Sequence, residues 1–166
     1  MAVSVNRLVK RVTWREWLGL GAGLLAGVSL FLTWTTLTAT DPEVKDGLGA
    51  LPTNEVLRSA WKSDFLSWFP PLLLLVTGVA VVALGQIGKV RESGLPQLWL
   101  IASCVVVLMM AFSWYGIDLQ FGTEERELFS AGGITINPGF GRYVALVAGF
   151  LALFAASADV RAHRRR

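Results

Sequence analysis

Charge is what this sequence most lacks. Residues 17–40, 65–88, 93–117 and 143–158 contain no Asp, Glu, Lys or Arg at all. Charged residues make up 16% of the chain, below the roughly 25% of soluble domains, which excludes an ordinary water-facing surface over most of its length. Cysteine is nearly absent. Cys104 stands alone, so neither an intrachain disulfide nor a CxxC metal site can form. The single histidine, His163, lies near the C-terminus, which rules out a bis-histidine haem inside the apolar runs. No acidic or basic residue sits deep in any run, as a proton relay, an ion pump or a charged-substrate carrier would need. The Gly19–Gly23 stretch (GLGAG) lacks the strand and the hydrophilic setting of a phosphate loop. Neither a cofactor nor a metal is expected.

What remains is apolar and long. Hydrophobic residues are 54% of the 166. A bilayer core of about 30 Å takes roughly 20 apolar helical residues to cross, and three of the four runs meet that length outright. The fourth meets it if Arg142 snorkels at its entrance. The reading is a single integral membrane domain, 1–166, all-α and polytopic. Its spans are placed at about 17–36, 70–87, 96–115 and 141–158, with outer loops 37–69 and 116–140. Thr13 to Glu16 fits a capping box that starts the first span. Residues 4–12 alternate as a short amphipathic segment or a basic tail. The following apolar run is too long for a signal-peptide core, so it reads as a retained span.

Orientation follows from Lys and Arg. With the N-terminus, the 88–92 turn and the C-terminus on one side, that side holds ten of the fifteen. The positive-inside rule makes it cytoplasmic, so the chain reads as a multi-pass cell-membrane protein with both termini cytoplasmic. The outer loops carry nine acids against five cations. The basic residues are membrane flanks, not a folded basic face, so nucleic acid is not an expected partner.

Within the spans, Gly19, Gly23 and Gly27 recur every fourth residue, and Ala148 and Ala152 do the same in the last run. Such faces let helix backbones approach closely, within one chain or between copies. Trp14, Trp17, Trp34, Trp99, Trp114 and Tyr143 read as interface anchors. In the first outer loop, Leu57, Trp61, Phe65 and Trp68 form a helical stripe, so an amphipathic helix is expected over 54–68 as part of an outer cap. Pro70-Pro71 then predicts a sharp turn near Phe69. Ile134-Thr135-Ile136 alternates like a short strand ended by Asn137-Pro138-Gly139. Phe31–Trp34 and Ala111–Trp114 look alike, as two related helical hairpins would. Asp64 and Asp118 are the carboxylates best placed for chemistry, but neither has a visible paired base or nucleophile.

With its FLTWTTL motif, its Gly/Ala/Val/Leu-dominated spans and its arginine-ended tail, the chain resembles the small four-span membrane proteins of unknown function common in actinobacteria. That resemblance implies the layout and no activity. The expected function is non-catalytic: an accessory or scaffold subunit of a membrane or cell-envelope complex. The Leu57/Trp61/Phe65/Trp68 face would touch a partner protein, a second copy or membrane lipid. A lipid-handling or small-molecule transport component is the alternative, and a membrane enzyme ranks third. The charge asymmetry sets a test of topology. Cysteines at Lys45 and Glu125, in a Cys104→Ser background, are expected to react with an impermeant thiol reagent in intact cells; labelling only after lysis reverses the orientation.

Overall fold

The computed structural model describes residues 12–164. The amphipathic reading of residues 4–12 lies, except for its last residue, outside them. The chain runs through α1 (Trp14–Ser29), β1 (Thr33–Ala39), α2 (Pro42–Ala50), α3 (Thr53–Val56) and β2 (Leu57–Ser59). After a 3₁₀ turn (Ala60–Lys62) come α4 (Phe65–Leu84), α5 (Gly88–Glu92) and α6 (Leu95–Tyr115). A second 3₁₀ turn (Ile117–Gln120) leads to α7 (Thr123–Ala131), β3 (Ile134–Pro138) and α8 (Phe140–Arg164). The protein is mostly helical, with a small sheet.

Three helices, α4, α6 and α8, are long and apolar enough to cross a membrane. The fourth long helix, α1, has 16 residues, or about 24 Å, short of a core of roughly 30 Å. The seven-residue shortfall between the expected end of the first span, near residue 36, and the end of α1 at Ser29 has a local cause. Charge-free is not the same as apolar: Thr33, Thr35, Thr36 and Thr38 are β-branched and favour strand. The chain leaves the helix at Leu30 and enters β1.

β1 is the centre of a three-stranded antiparallel sheet, in the order β2-β1-β3. β3 pairs with it in continuous register from Thr35↔Pro138 to Ala39↔Ile134. The β2 pairing carries an irregularity between Thr33 and Thr35. On the open face Thr38 and Thr135 share a 2.7 Å hydroxyl contact, and Asn137 donates to Thr38 at 2.7 Å. The strand expected at Ile134–Ile136 is therefore present, but it belongs to a sheet, and the fold is not all-α.

The expected amphipathic helix over 54–68 is replaced by four pieces. Leu57 lies in β2, Trp61 in a 3₁₀ turn, and Phe65 and Trp68 in the first turn of α4. Helical spacing misled here because β2 can pair with β1, which gives this backbone another outlet for its hydrogen bonds. Pro70 and Pro71 do not turn the chain. Both are buried inside α4, where proline's φ is already helical and the loss is confined to hydrogen bonds of the first turns. Nor do the two FxxW-like segments share a structure: Trp34 is in a strand and Trp114 in a helix.

The long helices close a ring in which α1 and α6 each pack on α4 and α8. Small residues set the distances. A Cβ on Gly23 would lie 3.0 Å from the Leu74 carbonyl oxygen and 3.2 Å from the Leu75 Cα. From the other side, a Cβ on Gly78 would lie 2.9 Å from the Gly19 carbonyl. Ala22, Ala26, Ala145, Ala148 and Ala152 are all buried, with Leu30, Trp34, Leu74, Val106 and Met110 filling the space between them. A second cluster of Val81, Trp99, Ala155 and Ala156 lies toward the other end. Because Gly23 faces backbone and not a flexible side-chain tip, Gly23→Leu is expected to force α1 and α4 apart. The cost should be about 1–3 kcal/mol, read as a lower unfolding temperature in detergent with a poorer yield of folded protein.

Candidate functional site

Two buried polar clusters and one aromatic surface hold the chemistry of this molecule. The first cluster lies where α1 ends. Trp34 is 2% exposed, and its indole Nε1 donates to the Ser29 carbonyl at 2.6 Å. A Cβ on Gly141 would collide with that indole ring, so the glycine is required for the seat. Above the ring lies the Arg142 guanidinium, 5.5 Å from its centroid.

Arg142 does not snorkel. It is 4% exposed, and its Nε donates to the Trp34 carbonyl at 2.9 Å. Its Nη1 donates to the Ser113 carbonyl at 2.6 Å and to the Ser113 hydroxyl at 3.2 Å. No carboxylate among the described residues pairs with it. The compensation is dipolar. Ser113 belongs to the last turn of α6, whose carbonyls have no helical partner and carry the negative end of the helix dipole. Gly139 N–H also donates to the Trp34 carbonyl, at 2.9 Å. Beside this node Gln120 and Thr35 exchange side-chain hydrogen bonds at 3.1–3.2 Å.

The second cluster joins the start of α1, the 88–92 segment and the end of α8. Thr13 and Glu16 form the expected capping box, with Glu16 Oε2 accepting from the Thr13 N–H at 2.7 Å. The other carboxylate oxygen, Oε1, lies 3.2 Å from Arg91 Nη1. Asp159 Oδ1 is 3.3 Å from Arg15 Nε and 3.6 Å from Arg91 Nη2. These contacts act as charge pairs; neither Asp159 Oδ1 nor Arg15 Nε has an aligned hydrogen bond. Arg91 Nε also donates to His163 Nε2 at 3.3 Å. Glu16 and Asp159 are 2% and 3% exposed, so their charges depend on these partners.

Both clusters are internal fastenings. Their donors and acceptors serve one another, and among the described residues no three His, Cys, Asp or Glu side chains are placed to hold a metal. Asp64 precedes α4 without capping it through its side chain. Asp118 shares a depression of about 280 Å³ with Arg126 and Ser130, but the Ser130 hydroxyl is committed to the Glu127 carbonyl at 2.9 Å.

The aromatic surface lies at the junction of β2 and α4. Trp61 stacks on Trp68 with centroids 5.9 Å apart, and Phe65 meets Trp68 edge-on at 5.3 Å and stacks on Phe69 at 4.6 Å. Phe31, at the end of α1, reaches Trp61 at 6.3 Å. Trp61 is 46% exposed and Phe31 75%. Thus Trp61, Phe65 and Trp68 do converge, although not on one helix; Leu57 stands apart on β2. Phe69 and Phe31 join them, and no periodicity in the sequence marked Phe31.

The expected interface anchors divide. Trp14, Trp17 and Tyr143 are exposed, and Trp114 is half-buried against Tyr143 at 4.8 Å. Trp34 and Trp99 are interior residues, not anchors. Trp99 fills the space left by Gly19, where a Cβ would overlap its ring. Arg142, Glu16, Arg91 and Asp159 were not candidates from sequence. Their shared signal is position: Glu16, Arg142 and Asp159 border charge-free runs, and Arg91 lies in the short charged segment between two of them.

No protein-family model, curated protein or solved structure matches this chain.

Arg142→Met leaves the Ser113 carbonyl without its charged donor and removes the group that ties β1 to α6. The expected loss is about 3 kcal/mol, the upper range for hydrogen bonds to a charged group. Arg142→Lys should recover only part of it, because one ammonium cannot span both carbonyls in the guanidinium's geometry. Thermal unfolding of both variants in the same detergent reads the difference.

Proposed function

We propose that this chain is a non-catalytic accessory or scaffold subunit of a membrane or cell-envelope complex. In this reading it crosses the membrane four times, with both termini on the cytoplasmic side and the sheet, α2, α3 and α7 forming an outer cap. The ion pairs that join Arg15, Arg91 and Asp159 support an even number of crossings, since they bring the start of α1 and the end of α8 to one end of the bundle. The α1 helix crosses with the help of Leu30, Phe31 and Leu32, which extend its apolar length before β1 begins.

The observation that carries the reading is the aromatic cluster of exposed Phe31, Trp61 and Phe65 around a half-buried Trp68 that seats it on the core. Elsewhere the molecule spends its polar groups on internal fastening: Arg142 on carbonyls, Glu16 and Asp159 on arginines, Ser103 on the Trp99 carbonyl. The aromatic cluster is different. It is large, pre-stacked and left on the surface beside a polar cap, as the anchoring centre of a protein interface is.

Trp61→Ala is therefore expected to weaken recovery of a stoichiometric partner from mild detergent by about 2 kcal/mol or more, the size of an interface hot spot. Membrane insertion and unfolding temperature should stay near wild type. Unchanged recovery with earlier unfolding would assign Trp61 to the cap instead.

A further inference from the structure

Beneath the aromatic cluster a groove opens between α1 and α4. It has a volume of about 480 Å³ and is lined by Leu24, Gly27, Val28, Phe31, Trp61 and Leu75 among other apolar residues. We propose that this groove holds one acyl chain of a membrane glycerophospholipid, whose phosphate faces Lys62. The inference rests on the groove and does not depend on the subunit reading above.

Size selects the occupant. The α1 wall from Leu24 to Phe31 is seven residue rises long, about 10 Å. A partner helix with a diameter of about 10–12 Å would occupy roughly 800–1,100 Å³ over that length. The groove holds about half of that, so it would take only one flank of such a helix, whereas a thin chain can lie within it. A single hydrocarbon chain is thinner and flexible, and the volume lies within the roughly 300–1,000 Å³ of ordinary ligand clefts. Gly27 contributes to the shape, since it presents no side chain where a Cβ would already stand 3.1 Å from Leu75.

Chemistry agrees with size. The walls offer hydrocarbon and aromatic ring, with no charged side chain, so nothing there would satisfy a polar ligand. The nearest cation in sequence adjoins a lining residue. Lys62 follows Trp61 in the same 3₁₀ turn and is exposed. Among the described residues it forms no ion pair, with Asp64 or any other acid. Arg58, the other nearby cation in sequence, is already placed over the Phe121 ring at 4.6 Å. An ammonium group beside an apolar groove and an indole matches a phosphate above an acyl chain.

The test uses full-length protein purified in mild detergent, incubated with phosphatidylglycerol bearing brominated acyl chains, and washed. Bound lipid is extracted and counted per chain by mass spectrometry. Wild type is expected to retain one lipid. Val28→Trp fills the groove from a position that is 57% exposed; it should cut retention about tenfold, equivalent to about 1.4 kcal/mol, without lowering the unfolding temperature measured in the absence of lipid. Leu24→Trp, also at an exposed position, serves as the second filling variant if the first folds poorly. Lys62→Gln should reduce retention by about threefold, in the range of one exposed charge contact. Retention unchanged in both filling variants overturns the proposal, and so does wild type that retains no lipid. A filling variant that keeps its lipid but changes oligomeric size assigns the groove to a second copy. One that keeps its lipid but loses a protein partner assigns it to that partner. Loss of lipid with partner recovery intact supports the groove and leaves the subunit reading to the Trp61 variant.

Discussion

A guanidinium buried among helices, with no carboxylate partner among the described residues, governs how this molecule is put together. Arg142 can stay there only if its N–H groups find acceptors, because an unsatisfied buried charge costs several kcal/mol. The acceptors it finds are main-chain carbonyls of Trp34 and Ser113. That requirement draws together the first residues of α8, the end of α6 and the start of β1. It also explains the sharp exit from α1. Trp34 must lie under the guanidinium with its indole N–H turned back to Ser29, and no continuous helix through residues 30–36 could place it so.

The opposite end is fastened by a different device. There, real ion pairs link Glu16 and Asp159 to Arg15 and Arg91. The short α5 segment thereby becomes a clasp between α1 and α8, not a bare connection. Between the two fastenings the bundle relies on small residues. Glycine and alanine faces bring α1 against α4 and α8 closely enough for dispersion to act between backbones. Polar groups set which ends meet, and small residues set how near the helices stand.

This division of labour leaves one region uncommitted. The Phe31, Trp61 and Phe65 side chains remain open to the surroundings around a half-buried Trp68, and Phe31 and Trp61 also line an apolar groove. In the orientation proposed above, such a region would meet lipid tails on one side and the headgroup layer or another protein on the other. Its aromatic rings suit both neighbours, since they are apolar in body and rigid. The subunit reading and the lipid seat share Phe31 and Trp61, and the Val28 and Leu24 variants, which lie outside the aromatic cluster, separate them.

The apolar runs, the capping box at Thr13–Glu16, the small-residue faces and the Ile134–Ile136 strand could all be read from local pattern. Charge exclusion, helix capping and strand alternation depend on neighbours in the chain, so they survive without coordinates. The sheet was legible only in part: the threonines of β1 carried the strand signal, but the lack of charge around them spoke for a span. Three things lay beyond sequence. Whether residues 57–68 would follow their helical spacing depended on β1 being available as a pairing edge. Whether Trp34 and Trp99 faced lipid or the interior depended on the voids left by Gly141 and Gly19 on other helices. Whether Arg142 reached water or a carbonyl depended on where α6 ended, 27 residues earlier in the chain. The sequence by itself determined which segments, α4, α6 and α8, are long and apolar enough to cross a membrane, because hydrophobicity is a sum over local residues. Tertiary structure alone decided which polar groups met, because hydrogen bonds and ion pairs are fixed by distance and direction in space.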